Sequence, residues 1–225
     1  MKKRNLSALM VLLAAAGFFL RRMVYLVAVD EKNLIMDGHP AQTGLWVLTA
    51  AAMALAAFGA WKQKEREPGP AAFFGHGMLG VGLLLAVLGN SLPMPGLLGN
   101  LWKVLGLVSP VCLLTAGFLR MRGKTPFFGL YAVPCLFFVV SVVAHYQIWC
   151  SNPQFTDYAF ALLACVMLAL HSYQLAAASL DEGDKRMLVF TGLAAVFLCG
   201  AEMAQSLYPA LYLGGALFCL TDTNA

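Results

Sequence analysis

At 225 residues, 60% hydrophobic and only 12% charged, with a mean hydropathy of +0.75, the chain is far poorer in charge than a soluble domain, where about 25% is usual. Its net charge of +4 is divided among short connections, with no basic helix and no aromatic interleaving, so nucleic acid is excluded as a partner and the lipid bilayer is the expected solvent. The six cysteines show neither CxxC nor metal-ligand spacing, and five of them (Cys112, Cys135, Cys165, Cys199, Cys219) lie in apolar runs, so they read as small core residues; Cys150 alone approaches the outer surface.

Crossing a ~30 Å hydrocarbon core takes about 20 apolar residues in a helix, and the runs here are too long for the ~10-residue alternation of barrel strands. They predict spans at 6–29, 43–61, 73–90, 99–119, 127–149, 156–178, 187–204 and 207–221. The expected fold is an all-α polytopic membrane protein, a single transmembrane domain over 1–225 with about eight helices and no soluble domain.

The first span opens on Lys2, Lys3 and Arg4 and resembles a secretory signal, yet Arg21-Arg22-Met23-Val24-Tyr25 offers no small-residue cleavage site, so it reads as a retained helix. Its anomaly is Arg21 and Arg22, which stand eight or nine residues before Asp30, inside the apolar stretch. An arginine near the bilayer centre costs at least ~2.5 kcal/mol, so such residues face protein, water or a ligand. Three fates are open: snorkelling to the outer headgroups, an ion pair with Glu202 near the end of span seven, or a substrate site with Arg21 or Arg22 facing an anion. The connection that follows, Asp30-Glu31-Lys32-Asn33 through Asp37-Gly38-His39, is acidic, with Asp157 expected opposite; it lacks EF-hand spacing and reads as a solvated loop.

Span two is rich in alanine (Ala50, Ala51, Ala52, Ala54, Ala56, Ala57), and span three places Gly75, Gly82, Ala86 and Gly89 on one face. Faces without bulk let membrane helices approach closely, so span three is expected to pack on span two. Leu45-Trp46 and Leu101-Trp102 open spans two and four, and Phe73-Phe74-Gly75 and Phe127-Phe128-Gly129 open spans three and five; a tandem repeat of helical hairpins would give that spacing. Pro110 and Pro134 lie inside spans four and five, where broken helices can build a midplane transport site. Of the histidines, His39 and His145 belong near the outer face and His76 and His171 near the inner. All four read as interfacial rather than as haem ligands, and His171-Ser172-Tyr173-Gln174 reads as a polar helix end.

The last segment is the shortest, about 21 Å from Leu207 to Leu220, so a re-entrant segment after seven spans is the alternative. Gln205-Ser206 with Pro209 just beyond supplies the turn before it. Eleven of the fifteen cations fall at the N-terminus or in alternate connections (Lys62, Lys64, Arg66; Arg120, Arg122, Lys124; Lys185, Arg186). By the positive-inside rule this puts both termini in the cytoplasm of a plasma membrane.

No P-loop, HExxH or GxSxG motif occurs, and no span holds a pair of carboxylates, so the expectation leans away from an enzyme and includes no cofactor and no metal. The expected function is binding or transport of a small solute, with Arg21, Arg22 and Glu202 as substrate-binding residues. The rival is a non-catalytic membrane subunit packed against a partner membrane protein or a second copy of itself.

Overall fold

In a computed structural model, the structure describes residues 3–28, 39–62, 71–89, 96–150 and 158–224. They form eight helices: α1 (Lys3–Val27), α2 (Pro40–Lys62), α3 (Ala72–Leu88), α4 (Leu97–Met121), α5 (Gly129–Trp149), α6 (Ala159–Ala178), α7 (Lys185–Glu202) and α8 (Pro209–Asn224). Five of them (Leu6–Val27, Pro40–Lys62, Leu97–Met121, Gly129–Trp149 and Ala159–Ala178) are long and apolar enough to cross a membrane, and α3 is a shorter apolar helix. The acidic connection 30–38, Asp157, Lys2, Lys64 and Arg66 lie outside the described residues.

Helices α3 to α8 pack each on the next, and α8 returns to α3, closing a ring of six, while α1 and α2 lie against α7. That position explains α7, which is buried almost all round from Leu188 to Cys199. Large side chains with no exposure fill the interior, among them Leu79, Leu83, Leu113, Phe137, Phe138 and Leu168. The outer faces carry bare apolar side chains at mid-helix, such as Leu12, Val47, Leu85, Val104, Val111 and Leu136. Patches of this extent suit contact with lipid rather than water.

The turn before α8 forms as the sequence predicts: α7 stops at Glu202, the Ser206 hydroxyl accepts from the Tyr208 amide at 2.8 Å, and Pro209 occupies the first turn of α8. Helix α8 then runs through Asp222, beyond the expected end at 221.

One expected partnership is replaced. The glycine face of α3 packs on α8, not on α2. Gly75 lies against Leu217 and Phe218, Gly82 against Ala210 and Leu211, and Gly214 of α8 against Met78 and Leu79. Two smooth faces interlock, so the backbones meet at closer range than any side chain would allow. The alanines of α2 serve α7 and α1 instead, with Gly59 over Leu6 and Leu193. Pro110 is absorbed in the same way, resting on Gly80 of α3.

Among the described residues, two of the basic connections, α4–α5 and α6–α7, meet at one end of the bundle. A cavity there is walled jointly by Arg120 in the last turn of α4, by Lys124 of the α4–α5 connection and by Lys185 at the start of α7. Arg21, Glu202 and the first turn of α8 meet at the opposite end.

Candidate functional site

The buried residues of α1 are Ser7, Met10, Ala14, Gly17, Arg21 and Val24, continued by Ala28 just past its end, spaced alternately three and four residues apart. This is the stripe a helix turns toward a neighbour. Arg21 falls on it and Arg22 does not: Arg21 is buried, Arg22 exposed. Gly17 sits on Phe197 and Ala201 of α7, and Gly200 on Ala14, so α1 lies close enough for the arginine to reach the last residue of α7. Arg21 Nη1 is 2.7 Å from Glu202 Oε2, with both side chains more than nine-tenths buried, and the guanidinium lies 4.7 Å from the centre of the Phe160 ring. The structure thus brings Arg21 and Glu202 together and leaves Arg22 on the outward side of α1.

The pair is not sealed in hydrocarbon. It borders a cavity of about 170 Å³ between the ends of α1, α5, α6, α7 and α8. One wall is an aromatic stack in which His145 lies 4.5 Å from Trp149, and Trp149 lies 4.2 Å from Tyr158 with the rings 13° from parallel. Tyr25, Tyr208 and Tyr212 complete the aromatic lining, and Gln205 and Ser206 add amide and hydroxyl groups. His145 is buried rather than interfacial, its Nδ1 donating to the Ser141 carbonyl at 2.7 Å. The cavity is smaller than the ~300–1,000 Å³ of drug-sized sites and has a charge of each sign and flat rings around it. His39 lies elsewhere, at the start of α2, where its ring accepts from the Ala41 amide.

A second polar group sits at the basic end, where the sequence suggested only loop cations and a polar helix end. Asp222 of α8 is fully buried and pairs through Oδ1 with Arg120 Nη1 at 2.5 Å, while its Oδ2 is 3.6 Å from His171 Nε2. His76 Nε2 lies 3.0 Å from the Tyr131 hydroxyl, and the His76 and His171 rings both meet Phe218 edge-on. His76, His171 and Ser172 are therefore core residues, against the expectation of interfacial ones; among that run Tyr173 alone is exposed.

The signal that finds these residues is helical register. Leu211, Gly215, Phe218 and Asp222 share a face of α8, and Leu113, Ala116, Gly117 and Arg120 share a face of α4. Counting Arg120 with the loop cations, and ending the last helix at 221, hides both. No family model matches the chain, and no curated protein or solved structure matches it either, so the site is read from its own chemistry.

Proposed function

We propose that the protein is a multi-pass membrane protein that binds, and carries through its helical bundle, a small polar solute held at the Arg21–Glu202 cavity. The observation that carries this reading is a buried ion pair bordering an aromatic-walled cavity of about 170 Å³. Sealing such a pair in the core would satisfy each charge with the other and leave nothing to recognise a ligand. A cavity beside it gives a solute access to both charges, with an acidic group drawn to Arg21 and a basic or hydroxyl group drawn to Glu202 and the ring faces. A zwitterion of few atoms fits that pattern better than a simple anion, because Glu202 already balances Arg21. Arg22 has no part in the site and meets headgroups from the exposed side of α1.

In this reading all eight helices cross the plasma membrane, with the basic end and both termini cytoplasmic and the Arg21–Glu202 cavity on the outer side. The spacing of the tryptophan and phenylalanine pairs fits an origin from repeated hairpins.

A thermal-shift screen of small zwitterions, amines and carboxylates on the purified protein tests the reading. A specific ligand at 100 times its Kd stabilises the fold by about 2.7 kcal/mol, and the shift grows with concentration. The response is expected to vanish in Glu202→Gln and to survive in Arg22→Ala. A protein that answers no solute and co-purifies with a second membrane protein belongs instead to the class of packing subunits.

A further inference from the structure

The polar group at the basic end is five side chains from five helices, and hydrogen-bond accounting shows that its two arms differ. His76 Nδ1 lies 2.6 Å from the Ala72 carbonyl, which only accepts, so Nδ1 donates. Its Nε2 then accepts from the Tyr131 hydroxyl at 3.0 Å. Every hydrogen on that arm has a place, with the imidazole neutral.

The His171 arm does not close in the same way. Its Nδ1 lies 3.2 Å from the Leu188 carbonyl, which only accepts, and 3.4 Å from the Thr191 hydroxyl, which itself stands 2.8 Å from the Met187 carbonyl and 3.2 Å from that of Leu188. Nδ1 therefore carries hydrogen. In a neutral ring Nε2 would then present a lone pair to Asp222 Oδ2, 3.6 Å away, with both side chains wholly buried. A proton on either atom turns that opposition into an attraction. The proton also has a cost. Arg120 and Asp222 already balance, so taking it up raises the buried charge from zero to plus one. Opposed penalties in the empty and loaded states are what a site that binds and releases a proton requires.

We infer that His171 and Asp222 share a proton-binding site at the basic end of the bundle. A cavity of about 370 Å³ opens between the α4–α5 and α6–α7 connections and reaches the residues that hold the pair, with Arg120, the partner of Asp222, and Leu188, whose carbonyl faces His171, on its walls. The groups facing Asp222 are His76 on α3, Arg120 on α4, Tyr131 on α5 and His171 on α6. From α7 come Thr191, beside His171, and Lys185, on the cavity wall. Helix α1 has no titratable side chain between Leu6 and Leu20. The proton site stands whether or not the opposite cavity binds a solute.

Nitrogen NMR of histidine-labelled protein in lipid nanodiscs tests it, with the His171 signals identified by their loss in His171→Gln. The expected result is that His171 passes between a doubly protonated and a neutral ring within about pH 5–9. In Asp222→Asn its proton affinity falls roughly tenfold or more, because the carboxylate that stabilises the imidazolium is gone. A His171 locked in one neutral tautomer over that range overturns the inference and leaves a structural contact only. A titration that Asp222→Asn leaves in place overturns the sharing. Should Asp222→Asn fail to fold, proton uptake read by a pH-indicator dye decides between wild type and His171→Gln. A whole proton fewer per chain in the variant supports the site, and equal uptake overturns it.

Discussion

Arg21 and Arg22 follow one another in the chain and end in opposite surroundings, because consecutive residues on a helix point about 100° apart. The first enters the stripe that α1 presses on α7 and finds Glu202; the second stays outside. Removing one member of a buried pair leaves the other charge unbalanced, so Arg21→Ala or Glu202→Ala is expected to cost about 3–5 kcal/mol, read from denaturation in detergent. The double variant Arg21→Met with Glu202→Met is expected to be more stable than either single one and to have lost the ligand response. Arg22→Ala changes stability by less than about 0.5 kcal/mol, as exposed sites usually do.

Between helices, the α3–α8 contact depends on glycine for space. A Cβ at Gly82 would stand 2.5 Å from the Ala210 carbonyl oxygen, where backbone cannot give way, whereas one at Gly77 would meet only the tip of Leu114 at 3.8 Å. Gly82→Ala is therefore expected to lose about 1–3 kcal/mol through overpacking. Gly77→Ala is expected to hold or gain up to about 1 kcal/mol, since alanine costs the unfolded chain less freedom than glycine. Unfolding of the two variants in the same detergent decides it. The small-residue row was legible in the sequence, but its partner was not. Spacing shows that a face is smooth, and only the bundle shows that α8, itself carrying Gly214 and Gly215, comes to lie there.

Across the whole molecule, the ring carries a polar site at each end with a packed apolar interior between them. If all eight helices cross with the basic end cytoplasmic, the two ends face different compartments. Cys150, exposed at the end of α5, then reacts with an impermeant thiol reagent from outside the cell. A cysteine placed at Ala225 in a Cys150→Ser background reacts only after the membrane is opened. Labelling of the Ala225 position from outside would mean that α8 turns back before crossing.

Apolar run length and the turn at 205–209 were enough to place the eight helices, because a long apolar run must bond its backbone within its own helix whatever its neighbours are. The sequence also named Glu202 among the fates open to the first arginines, since a buried arginine needs compensation and Glu202 stands at the right end of its helix. Which arginine is compensated was decided by the register of α1 on α7. The sequence could not show that Arg120, taken for a loop cation, turns inward to Asp222, or that His76, Tyr131 and His171 gather around them. Those contacts join residues up to 102 positions apart, and only the closing of the ring by α8 on α3 puts them within reach.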